Sequence, residues 1–257
     1  MEELDALIEE NMQEISANEK RLLQHEVPEA VSNIDDICHQ SIIEIENKSE
    51  QVVSRVSAWV ESAKAEFLNE SETVMTHIHD LVDSRSNQRT VDLLTSMITE
   101  TSYLSGKRIC ECATSSIEKI RNETTNSIQE LRKNAANAFK DFRALTAKTT
   151  KKIRKMIEKA AEKFKVAKTS TKGKQSLEQV KKETEIAIAE AASSSAELES
   201  AKARTSERIR EALDIALRRI ELALTDAADE IERARQKADS KLKIIADDAV
   251  KRLDLSD

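Results

Sequence analysis

The chain has 257 residues but only two glycines, Gly106 and Gly173, and one proline, Pro28, and its aromatic content is 2%. So few turn-formers exclude sandwiches, barrels and α/β folds, which reverse direction about every dozen residues. Ala, Leu, Glu, Lys and Arg supply 125 residues, the composition of a coiled coil or long-helix protein. A net charge of −7 argues against polyanion binding by the chain as a whole.

Taken in chain order, residues 2–25 form an acidic amphipathic segment that predicts a short helix, closed by Pro28, which starts or kinks the next one. A long helix over about 29–83 follows from Ile34, Ile45, Val56, Phe67 and Ile78, which lie eleven residues apart. Asp83–Arg89 lacks apolar residues and breaks the phase of this series, as a hairpin or a kink. The next helix, about 88–168, carries Ile98, Ile109, Ile120, Leu131, Phe142, Ile153 and Phe164 at the same spacing, with Gly106 as a point of local loosening or a break. Thr169–Ser176 breaks the phase again, and Gly173 is expected there as a left-handed cap or turn residue. The last helix, about 176–254, repeats Leu198, Ile209, Ile220, Ile231, Leu242 and Leu253.

Eleven residues in three turns give about 3.67 residues per turn, which favours nearly straight or slightly right-handed packing. The expected fold class is therefore all-α: an elongated antiparallel bundle of three long helices plus a short N-terminal one, forming a single domain over 1–257. A turn centred between Thr171 and Lys172 would set Phe142 against Ala201, Leu131 against Ala212, Ile120 against Ala223 and Ile109 against Ala234. Each large residue then meets a small one, which lets helices approach without voids.

Charge is unevenly distributed. Residues 1–106 hold 7 basic and 22 acidic side chains, 107–174 hold 19 and 7, and 175–257 hold 15 and 19. The plain reading is that an acidic helix packs beside a basic one and sets its register. The sharper reading concerns 139–168. There Ile153, Met156, Ile157, Ala160, Phe164 and Ala167 share one face, while Lys151, Lys152, Arg154, Lys155, Lys159, Lys163 and Lys165 cover the rest. That pattern suits an anionic lipid surface or an acidic partner. Nucleic acid is the weakest option, because no aromatic stacking platform accompanies the lysines.

Candidate chemistry is sparse. Cys110 and Cys112 stand two apart, and so do His77 and His79, so each pair diverges by roughly 200° around a helix. His79 and Asp83 are i,i+4 neighbours with the spacing of a weak site, for which a solvated face is the plainer reading, and Cys38-His39 is an adjacent pair with no convergent third ligand. No phosphate-binding glycine loop, zinc-protease or nucleophile-elbow motif occurs. No catalytic residue, cofactor, metal or small-molecule substrate is therefore expected, and three cysteines without a secretory leader suit a reducing cytoplasm.

The eleven-residue stripe with few aromatics resembles the repeats of exchangeable apolipoproteins and, at the level of pattern, late-embryogenesis-abundant proteins and the peripheral stalks of rotary ATPases. The three-helix layout with a basic segment is similar in architecture to BAR-like membrane-curving dimers. Apolipoprotein likeness implies lipid-surface binding led by 139–168; apolipoprotein repeats are usually punctuated by prolines, which are missing here. The alanine-rich seam of 198–253 suits close protein–protein packing better than insertion into lipid. The chain is therefore expected to be a non-enzymatic scaffold that associates with itself or another helical protein, in the cytoplasm or at the periphery of a membrane.

Overall fold

The computed structural model describes residues 2–81, 88–169 and 173–254. Four α-helices account for nearly all of them: α1 Glu2–Arg21, α2 Val27–Leu81, α3 Gln88–Thr169 and α4 Gly173–Asp254. The protein is an all-α helical bundle.

The expected interruption before Pro28 is replaced by a π-helical turn, Leu22–Glu26, between α1 and α2. Its flanking residues keep right-handed helical geometry, with Arg21 at φ −60°, ψ −47° and Val27 at φ −71°, ψ −48°, and the Val27 N–H donates to the Leu22 carbonyl five residues back. Proline lacks an N–H and its ring crowds the carbonyl four residues before it. A wider turn accommodates both defects without ending the helix. The helix also continues through Gly106. Gly173 is the first residue of α4, three residues earlier than expected, and no described residue has a positive φ. The expected reversal at 83–89 falls mostly outside the described residues, as does the loop centre at 170–172 and the side chain of Leu253.

The chain divides into two compact units, one of residues 1–43 and 128–213, the other of residues 44–127 and 214–257. Each is a three-helix bundle, and α2, α3 and α4 contribute a stretch to both.

In the first unit, Ile8 packs with Ala160, Phe164, Leu177 and Val180. One layer on, Ile15 packs with Ile153, Ala187 and Ala191. As α1 advances, α3 descends and α4 ascends, so α1 runs antiparallel to α3 and parallel to α4. Both layers set large residues against small ones. Asn11 Nδ2 donates to Thr184 Oγ1 at 3.0 Å between them, which satisfies two groups that would otherwise be buried without partners.

In the second unit, Phe67 and Ile78 pack with Leu94, Ile98, Ala238, Leu242, Ile245 and Ala249. The α2–α3 register is marked twice by hydroxyl pairs. Thr124 Oγ1 lies 2.9 Å from Ser49 Oγ, and Ser102 Oγ lies 2.7 Å from Ser71 Oγ. From Ser49 to Ser71 is two eleven-residue repeats forward, and from Thr124 to Ser102 is two repeats back, so one antiparallel register satisfies both. Here the described stretches of α2 and α3 pack antiparallel.

Candidate functional site

The residues expected to form the helix seam are buried: Ile109, Ile120, Leu131, Phe142, Ile153, Phe164, Leu198, Ile209, Ile220, Ile231 and Leu242 are each at most 9% exposed. Removing side chains of this size from water contributes about 1.5–3 kcal/mol apiece. Of the alanines expected opposite them, Ala234 is buried while Ala201, Ala212 and Ala223 are half-buried; next to Ala223 the core takes Leu224 instead.

The seam also contains polar residues that a search for large apolar side chains does not find. Ser105, Ser116 and Ser127 are buried at eleven-residue intervals, in step with Leu94, Ala138, Thr149 and Ala160. Ser116, Ser71 and Thr146 donate to the carbonyl four residues before them, so these three hydroxyls occupy core positions without leaving an unpaired proton.

The basic segment points two ways. Its apolar face lies in the core: Ile153, Ala160 and Phe164 are buried, and Met156 and Ile157 pack against the same layer. The side chain of Ala167 is outside the described residues. Lys151, Lys152, Arg154, Lys155, Lys159, Lys163 and Lys165 are all exposed. Three of them reach acidic residues on neighbouring helices of the first unit: Lys152 pairs with Glu190, Lys163 with Glu183, and Arg154 Nε lies 2.7 Å from Glu19 Oε1. Exposed pairs of this kind are worth about 0.2–1 kcal/mol each. Their larger effect is to select register and partner. The first unit as a whole holds 23 basic and 23 acidic side chains, so the basic stretch of α3 is balanced within the bundle.

The second unit contains an arginine ringed by carboxylates. Arg235 makes paired contacts to Glu232, one at 3.0 Å from each side-chain nitrogen used, and lies 3.2 Å from Asp239 and 3.9 Å from both Glu66 and Glu70. One cation facing four acids leaves excess negative charge. Accordingly the Glu70 carboxyl titrates above its ordinary range, because it hydrogen-bonds Asp239, is partly desolvated and feels the Asp239 charge, against the opposing pull of Arg235. Glu232 is held low by its bonds from Arg235 and Gln236. Beside this group an open cleft of about 270 Å³ is lined by Trp59, Ala63, Ala228 and Ile231, and the Arg55 guanidinium lies 5.5 Å from the centre of the Trp59 ring.

The cysteines and histidines do not converge. Cys38 is buried, and Cys110 and Cys112 are half-exposed. Burial pushes the Cys38 thiol up, the Asp35 charge adds to this, and Arg132 opposes it. His77 and His79 are exposed, and Asp83 lies outside the described residues. Among the described residues, no group of three or more His, Cys, Asp or Glu could hold a metal ion. No described helix is long and apolar enough to cross a membrane.

Residues 101–253 match the model of a family described as "Protein of unknown function (DUF3164)". The chain belongs to this family. The match covers most of α3 and α4, including the whole basic segment and, of the Arg235 cluster, Arg235, Glu232 and Asp239 but not Glu66 or Glu70 on α2. No curated protein matches the chain. A solved structure described as a "Computationally designed three helix bundle" is similar at 17% identity over 98% of this chain and 100% of that chain, with a TM-score of 0.35.

Proposed function

We propose that this DUF3164 family member is a non-enzymatic scaffold that acts through helix–helix association with a second copy or another helical protein in the cytoplasm. The observation that carries this reading is where the apolar face of 148–166 is used. Ile153, Ala160 and Phe164 are committed to the bundle, so an apolipoprotein-type contact would first have to unpack them. At about 1.5–3 kcal/mol per large side chain, that costs several kcal/mol before any lipid is met. What the chain offers a partner is charge arranged on rigid helical faces. This favours selective, salt-sensitive protein contacts over insertion.

Two measurements test it. Sedimentation equilibrium of the full chain is expected to give concentration-dependent association; a mass fixed at one chain throughout, with no helical partner bound, contradicts it. Co-sedimentation with anionic phosphatidylserine-containing vesicles is expected to be weak. Strong uptake that disappears when Lys151, Lys152, Lys155 and Lys159 are changed to Glu supports the lipid-surface alternative instead.

A further inference from the structure

Two charged ridges on the first unit are left without ion pairs. On α1, Glu3, Glu10 and Glu14 are exposed, and steps of seven and then four residues keep them on one face of a helix. On α3, Lys148, Lys155 and Lys159 are exposed, with steps of seven and then four in the same order. Among the described residues none of these six takes part in a salt bridge, whereas their neighbours Glu19, Arg154 and Lys163 do.

The ridges cannot match each other within one chain. Inside the unit α1 and α3 run antiparallel, so the seven-then-four spacing of one would meet four-then-seven in the other. An inverted second copy removes the mismatch, because its α3 runs parallel to the first copy's α1. We propose that the acidic ridge of one copy docks on the lysine ridge of a second copy, with Glu3, Glu10 and Glu14 facing the partner's Lys148, Lys155 and Lys159. This assignment names the partner in the scaffold reading and rests on it.

Charge and composition favour a second copy over a polyphosphate or a membrane. Exposed Glu158 and Glu162 lie among the lysines and repel a phosphate strand or an anionic bilayer, and the apolar side of this helix is buried. The first unit carries equal numbers of acidic and basic groups, so two copies meet without net repulsion between these units.

The test is sedimentation velocity of the full chain over a concentration series at about 50 and about 500 mM salt, a range in which the screening length falls from roughly 14 to 4 Å. Association is expected to weaken at least tenfold across that range. Reversing either ridge (Glu3, Glu10 and Glu14→Lys, or Lys148, Lys155 and Lys159→Glu) should reduce it at low salt by a similar factor. Combining both reversals in one chain should restore it, since the ridges are again complementary. Glu→Gln and Lys→Gln versions, with helical content checked by circular dichroism, keep the test valid if a reversed chain folds poorly. Association unaffected by either reversal or its neutral version overturns the ridge assignment but leaves the scaffold reading standing. A monomer at every salt and concentration overturns the assignment and self-association together. Loss of association in both single variants without recovery in a folded double variant overturns the pairing.

Discussion

The Ser71–Ser102 contact offers a quantitative test of how the α2–α3 register is held. Ser102 O–H donates to Ser71 Oγ at 2.7 Å, and Ser71 O–H donates onward to the Phe67 carbonyl at 2.9 Å. Ser71 is 2% exposed. In Ser71→Ala the Phe67 carbonyl still has its helical N–H, but Ser102 loses its acceptor in a half-buried site. The net worth of such a bond is about 0.5–1.5 kcal/mol. Ser102→Ala removes the same bond from the other side, and Ser71 keeps its carbonyl partner. Each single change should therefore lower the unfolding free energy by about 1 kcal/mol. The double variant should lose scarcely more than either single one, because removing both partners leaves no hydroxyl unsatisfied. Urea unfolding followed by circular dichroism, with the slope unchanged across the four proteins, gives the coupling. A coupling of about 1 kcal/mol is expected; strictly additive losses would refute the claim that this pair acts as one register-setting contact.

Three further outcomes follow from the geometry. Phe142→Ala should destabilise the chain by about 3–5 kcal/mol, since Phe142 is 1% exposed, while Leu222→Ala, at a 65% exposed position, should stay within about 0.5 kcal/mol of the parent; similar losses at both sites would contradict the burial pattern. Glu70 titrates above 4.5 in the folded chain, so its ionised form opposes folding. Its favourable contribution is present below pH 4.5 and is lost as pH rises through the higher folded value. Glu70→Gln should then raise the unfolding midpoint at pH 7, with the gap closing as pH falls below about 4.5; a gap that widens on acidification would reverse the assigned sign. A thiol-reactive dye should label Cys110 and Cys112 quickly and Cys38 slowly, because Cys38 is buried and its thiol is pushed up; three equal rates would contradict this.

Parts of this structure were legible in the residues because one physical rule governed them. Ile98 to Phe164 recur every eleven positions because a helix of about 3.67 residues per turn returns them to one face, and all the described members of that series are buried. The seam positions at Ser105, Ser116 and Ser127 follow the same period but are hidden from an apolar search. A serine's hydroxyl bonds to its own helix carbonyl, so polarity alone does not expose it. Pro28 was misleading for a different reason. Its local cost is real, yet a single π-helical turn absorbs it while the buried contacts on either side, Ile15 and Leu22 before and Ala30 and Ile34 after, keep the chain helical. The Arg235 group was beyond sequence reasoning. Glu232 and Asp239 are its near neighbours along α4, but Glu66 and Glu70 meet it only through the packing of α2 on α4. For the basic segment, the alternation of Ile153, Ala160 and Phe164 with lysines was plain, but amphipathicity alone does not say whether the apolar face meets lipid or protein.

That choice is tested most directly by hydrogen exchange of the amides of 148–166 in the full chain, with and without anionic vesicles. If these residues keep their apolar face in the bundle and work through protein contacts, their protection should be unchanged by saturating vesicles. Loss of protection confined to this segment and to its packing partners around Ile8, Ile15, Leu177 and Val180, together with vesicle binding, would show the bundle opening onto lipid and would contradict the scaffold account.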